Sequence, residues 1–234
     1  MTQPVEQPDP TVYPVEEKVG EDILQRWIME LLRPLIEDWL RSEGRETLVG
    51  ADQFIYYRQF DPHGRVSPDI YVLPNTPVDT HVTAWKVWET GVVPSFALEI
   101  ASRHFDKDDY EAPRRYDELG TDELIVFDPH FAKRPRGEGM RWQVFRRDEA
   151  GELVRVEATD EDRVHSEQLG CWLRSVGAMQ ATRVRLGTAP RGDTLFPTAE
   201  ERERAEKERE RAEKEAAQAE LAALRAELAK LEGE

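Results

Sequence analysis

What this sequence has little of narrows its function before any motif is considered. A single cysteine, Cys171, stands among 234 residues. One thiol cannot form an intramolecular disulfide and excludes a cysteine-based zinc cluster; it suits a chain kept in a reducing cytosol. Positive charge is also short. Thirty-two lysines and arginines against 48 aspartates and glutamates leave a formal net charge of −16. Nucleic-acid binding by charge alone leaves a basic footprint, because neutralised phosphates release counterions. That footprint is missing globally. Any nucleic-acid contact must come from a local basic patch, or from metal ions bridging carboxylate to phosphate. No run approaches membrane-spanning length, and the opening MTQPVEQPDPTVYPVEE has no apolar signal core. No glycine-rich phosphate loop and no serine–histidine nucleophile arrangement stands out. The histidines, His63, His81, His104, His130 and His165, are scattered with no pair at metal-ligand spacing.

What is present is enough for a core. Hydrophobic residues make up 39% of the chain, and they fall in runs. Residues 1–17, rich in proline, glutamate and glutamine, predict a loose arm. From about Val19 to Ser42, Ile28, Leu31, Leu32, Leu35, Ile36, Trp39 and Leu40 recur at three- and four-residue steps, an amphipathic helix in which Pro34 predicts a kink or a split. The period then changes. QFIYYRQF (53–60), DIYVL (69–73), SFALEIA (95–101) and ELIVF (123–127) read as strands, the last two apolar enough to be buried on both faces. Asp106 to Leu119 reads as a helix closed by Gly120. RWQVFR (141–146), ELVRVE (152–157) and TRVRL (182–186) follow as further strands, with a short helix expected over 168–178. This order predicts a mixed sheet with flanking helices.

The last segment is different material. ERERAEK is written twice, at 201–207 and 208–214, and Leu221, Leu224, Leu228 and Leu231 step by three, four and three. That is a charged helix with a short coiled-coil seam. It serves either as a solvated helix or as the contact of a homodimer. The domain expectation is an arm over 1–17, a folded domain over 18–196 and a helical tail over 197–234.

Two acids stand out for chemistry. Asp69 opens a strand after Pro68, and Glu99 sits inside the apolar run Phe96–Ile100. An ionised carboxylate in a sheet interior is costly unless it is paired, hydrogen-bonded or on a metal. Two of them on neighbouring strands repel each other, and a divalent cation relieves that repulsion while polarising a phosphate. The plainer reading makes Asp69 a strand-start residue and Glu99 one half of a structural ion pair. Gln25 faces the same choice, between reaching the site from the first helix and lying solvated on its flank.

SPDIYVL, VPSFALEIAS, DKDDYEAPRRYDELG and ELIVFDP, in this order between Val66 and Pro129, together with VGEDILQRWIMELL and QFIYY upstream, resemble the Uma-two family of restriction-type endonucleases, a branch of the PD-(D/E)XK superfamily. SEQLGCWL and the charged tail resemble one of its common variants. The resemblance implies a restriction-endonuclease-like α/β fold, a mixed sheet flanked by helices with a C-terminal charged helix or coiled coil. It implies a metal-dependent endonuclease hydrolysing DNA phosphodiester bonds, with Asp69 and Glu99 holding magnesium or manganese. The superfamily's usual lysine position is Ala101 here. The position from which the following helix supplies one in this family, counted from Tyr116, is Ala112. Lys107 is the nearest lysine, and the resemblance assigns it the third catalytic role. Arg103, His104, Lys107, Arg114 and Arg115, with Lys133, Arg134 and Arg136, form the basic stretches expected to touch phosphates. One alternative is a non-catalytic nuclease-fold module working through its tail. Another is a coiled-coil adaptor with an unrelated head.

Overall fold

The computed structural model describes residues 9, 11–13, 23–102, 108–134 and 139–231, and its contacts divide the chain into two units, Met1–Phe196 and Pro197–Glu234. The first unit begins its regular structure with α1 (Ile23–Ser42), whose stripe buries Leu24, Ile28, Leu32, Leu35, Ile36 and Leu40. Each fully buried leucine or isoleucine contributes about 1.5–3 kcal/mol. The helix runs through Pro34 without a break, so the split does not occur. Pro34 and Glu30 both lie on its exposed face, so the carbonyl that loses its donor there is open to water.

β1 (Thr47–Gly50), β2 (Ile55–Tyr56), β3 (Arg65–Val66), β4 (Ile70–Pro74) and β5 (Trp85–Lys86) follow, then a single helical turn, α2 (Val87–Thr90). β6 (Phe96–Ile100), α3 (Asp108–Leu119) and β7 (Glu123–Phe127) form a strand–helix–strand crossover, with β6 and β7 parallel and in register from Phe96↔Glu123 to Ile100↔Phe127. β8 (Trp142–Arg147) and β9 (Leu153–Thr159) complete a six-stranded sheet in the order β1-β4-β6-β7-β8-β9. β2, β3 and β5 make a small three-stranded sheet. β10 (Arg163–Ser166), β11 (Cys171–Val176), β12 (Arg183–Thr188) and β13 (Thr194–Leu195) make an antiparallel one.

Side-chain alternation divides the main sheet into two faces. Ile70, Val72, Phe96, Leu98, Ile100, Ile125 and Phe127 pack with α1 and with Val164, Leu173, Val184 and Leu186 of the antiparallel sheet. Tyr71, Leu73, Ala97 and Leu124 pack on the other face with Tyr116 and Leu119 of α3. Gly50, opposite Tyr71 in the β1–β4 ladder, leaves room for that ring, since a Cβ there would fall 2.1 Å from its Cζ. Gly120 ends α3 with φ +97° and gives its N–H to the Tyr116 carbonyl.

Three sequence expectations are corrected. The helix expected over 168–178 is strand β11, because Cys171 and Leu173 alternate inward and the strand is paired on both sides. QFIYYRQF contributes a two-residue strand, since the chain turns at Arg58–Phe60 and Phe60 takes a positive φ. The arm expected to have little to bury sets the Tyr13 ring edge-on to Tyr56 at 4.8 Å. Strand β1 was not anticipated; TLVG is too short to show a period.

In the second unit, α4 (Ala199–Leu231) starts with a reciprocal capping box: Glu201 N–H donates to Thr198 Oγ1 at 3.1 Å, and Thr198 N–H donates to Glu201 Oε2 at 2.8 Å. Lys207–Glu203 and Arg211–Glu215 pair four apart along it. Leu221, Leu224 and Leu228 are exposed. Among the described residues no helix is long and apolar enough to cross a membrane.

Candidate active site

Asp69 immediately precedes β4, and Ile70 pairs with Leu98 of β6. One step further along this antiparallel register, Asp69 comes opposite Glu99. The parity that puts Ile70 and Leu98 toward α1 puts Asp69 and Glu99 toward α3. They lie where the parallel strands β6 and β7 end, the edge at which open α/β sheets bind ligands.

Both acids accept hydrogen bonds from described neighbours. Asp69 is 4% exposed. Its Oδ2 accepts the backbone N–H of Ile100 at 2.5 Å, and its Oδ1 accepts the Gln25 amide from the first turn of α1 at 2.6 Å. Gln25 therefore reaches the site. Glu99 is half-buried, and its Oε1 accepts the Tyr116 hydroxyl. Tyr116 is enclosed at 1% exposure. Burial first, then the Glu99 charge and hydrogen bond and the Asp69 charge, push its phenol well above the ordinary value. Tyr116 thus stays protonated at any physiological pH and serves Glu99 as a donor.

Other buried acids are treated differently. Glu123, 1% exposed at the start of β7, accepts Arg146 Nε at 2.8 Å, the Ser166 hydroxyl and the N–H groups of Glu167 and Gln168. It anchors the β10–β11 turn to the main sheet. Asp128, 2% exposed just after β7, is paired with Arg134 Nε at 2.8 Å and takes the His130 N–H. Arg134 also donates to the Ser102 carbonyl. It is thus committed to Asp128 rather than presented to a phosphate, correcting that part of the basic stretch. Arg114 and Arg115 are exposed on α3, and Lys133 is exposed beyond β7. Arg103, His104, Lys107 and Arg136 lie outside the described residues.

The positions where a lysine was looked for are closed. Ala101 is 7% exposed and gives its N–H to Phe127 O at 2.8 Å. Ala112 is partly buried against the α3-side core. Among the described residues no group of three or more histidines, cysteines, aspartates or glutamates forms a metal cluster. The donor set on the page is two carboxylates. That set fits magnesium, which takes hard oxygen ligands, keeps several waters and is commonly bound by one or two carboxylates plus a substrate phosphate.

The family model described as "Uma2: Putative restriction endonuclease" matches residues 14–176. The chain belongs to the Uma2 family. Its match spans α1, β4, β6, α3 and β7, and so every described residue of the acid pair and its donors. Among solved structures, similarity extends to a crystal structure of "a putative nuclease belonging to DUF820 from Anabaena variabilis ATCC 29413", with 14% identity, 66% of this chain and 78% of that one covered, and a TM-score of 0.46. No curated protein matches.

Sequence reasoning missed Glu123 and Asp128 as charge-balanced acids, and did not link Tyr116 to Glu99. Glu123 did carry a signal, an acid at the head of the apolar run ELIVF, like Asp69 before DIYVL. Its partners Arg146 and Ser166 lie too far along the chain to be read beside it.

Proposed function

We propose that this Uma2 protein is a metal-dependent endonuclease that hydrolyses DNA phosphodiester bonds, with Asp69 and Glu99 as the residues that hold magnesium or manganese. The observation that carries the reading is the pair itself: two carboxylates brought opposite each other at the ligand-binding edge of the sheet. Gln25 and the Ile100 N–H orient Asp69, and Tyr116 orients Glu99, so the oxygens are placed before substrate arrives. When bound, the ion supplies Lewis acidity toward the phosphate and lowers the pKa of the attacking water. Lys107 is the residue we assign to steady or activate that water, on the family resemblance. The exposed leucines of α4 suit a homodimer through the tail, which would set two sites on two strands.

Plasmid nicking in manganese tests this. Wild-type protein converts supercoiled to open-circle plasmid, and Asp69→Ala and Glu99→Ala do not. Nicking that persists in both variants contradicts the assignment.

A second reading has its own observation. Both Asp69 oxygens already carry protein donors, as in a structural carboxylate, and Ala101 and Ala112 stand where a lysine serves other members. A non-catalytic nuclease-fold module acting through its tail would look the same at these positions. Metal uptake without nicking favours it.

A further inference from the structure

Arg134 lies in the turn that follows β7, yet its side chain is only 10% exposed and reaches two strand ends at once. Its Nε and Nη2 donate to the Asp128 carboxylate at 2.8 and 3.4 Å, and Nη2 also donates to the Ser102 carbonyl at 2.7 Å. Asp128 directly follows β7, and Ser102 stands two residues beyond β6. The local sequence builds this reach. Asp128 Oδ1 accepts the His130 N–H at 2.7 Å. The 3₁₀ turn over Phe131–Lys133 then closes with the Arg134 N–H on the Phe131 carbonyl at 3.1 Å, which returns the arginine toward the sheet. Gly139 leaves room for its stem, since a Cβ there would fall 2.5 Å from Arg134 Cγ.

We propose that Arg134 is a positioning residue for the acid pair: by bridging the exits of β6 and β7 it holds Glu99 and the Ile100 N–H in the geometry a cation needs. The inference rests on the metal-site reading and adds to it a residue outside the pair and its donors. The connection runs through the backbone, one residue at a time. The Ile100 N–H donates to Asp69 Oδ2, the Ala101 N–H donates to the Phe127 carbonyl, and the Ser102 carbonyl accepts Arg134, which holds Asp128. The β6–β7 ladder has its last register pair at Ile100↔Phe127. Beyond it, the described bonds between the two strand ends are the Ala101 N–H and the arginine bridge. Strand ends open readily, and metal ligands have to stay within about 0.5 Å of their working geometry.

Charge balance alone does not explain the residue. Any cation could neutralise Asp128. A planar guanidinium serves a carboxylate and a carbonyl from one rigid fork, which the single ammonium of lysine on its flexible stem does not.

Two full-length variants test this. Arg134→Lys keeps the charge beside Asp128 without the fork, and Gly139→Ala pushes the arginine stem aside and keeps its charge. Thermal unfolding identifies folded protein, calorimetry reads manganese affinity, and amide hydrogen exchange reads Ile100 without metal. Both variants are expected to melt near the wild type, to exchange the Ile100 amide faster and to bind manganese roughly tenfold more weakly. Plasmid nicking should fall in kcat with KM unchanged, and recover in excess manganese. Wild-type manganese affinity and Ile100 exchange in both folded variants overturn the proposal and leave the metal site standing. A raised KM with unchanged manganese affinity overturns it too, because Arg134 then acts on the nucleic acid. Loss of folding in both variants also overturns it, since the bridge then serves the fold as a whole. A wild type that takes up no manganese overturns the metal-site reading itself, and the role of Arg134 falls with it.

Discussion

Glu99 and Glu123 sit on adjacent parallel strands of one sheet, near opposite ends, and their described partners differ. Glu123 is met by Arg146, a serine hydroxyl and two backbone N–H groups, so its charge is cancelled and its lone pairs are used. Among the described partners of Glu99 and its neighbour Asp69 are a phenol, an amide and a backbone N–H. The difference separates two uses of a buried acid. A carboxylate set against an arginine ties elements together. A carboxylate oriented by a phenol, an amide or a backbone N–H is held in place, which is what a cation ligand requires.

The largest effect that sharpens this contrast is on stability. Glu123→Ala leaves Arg146 facing an emptied, buried position and frees the β10–β11 turn, and should cost about 3–5 kcal/mol in urea unfolding. Nicking by the surviving folded protein should be unchanged. A loss of nicking with little loss of stability would put Glu123 in the chemistry and break the comparison. At the other site the balance inverts. Gln25→Ala should lower nicking by roughly ten- to a hundredfold, the usual cost of losing a partner that orients a metal ligand, with a stability change of about 1.5–3 kcal/mol for one hydrogen bond to a charged group. Tyr116→Phe should act in the same direction through Glu99, and more weakly, because the half-buried carboxylate can recruit water.

These donors show how much was legible in the sequence. Asp69 and Glu99 stood out because each interrupts or opens an apolar run, a local signal. The apolar runs DIYVL and SFALEIA likewise announced the central strands. Gln25 is 44 residues from Asp69 and Tyr116 is 17 from Glu99, and no periodicity links them. Their roles appear only once β4, β6 and α3 are packed. The helix expected over 168–178 failed for the same reason, since pairing on both edges of β11 overrode what the segment's composition suggested. Pro34 does not split α1 because the carbonyl that loses its donor lies on the wet face.

A smaller effect concerns Cys171, remote from the acid pair. Burial pushes its thiol up to about 12 from the ordinary value of 9.0. The folded form then holds its proton where the unfolded chain has released it. The stability this thiol confers is complete below the unfolded pKa and is lost as pH rises from about 9 toward 12. Cys171→Ala should flatten that part of the unfolding profile relative to wild type. It should leave nicking unchanged, and the native thiol should resist alkylation at neutral pH.

The most direct test of the central claim is calorimetric titration of magnesium and manganese into wild type, Asp69→Ala, Glu99→Ala and Glu123→Gln. With Asp69 and Glu99 as the cation's ligands, uptake is expected by wild type and by Glu123→Gln, and none by the two site variants. Uptake that survives both site substitutions, or a wild type that takes up no metal, would contradict the account.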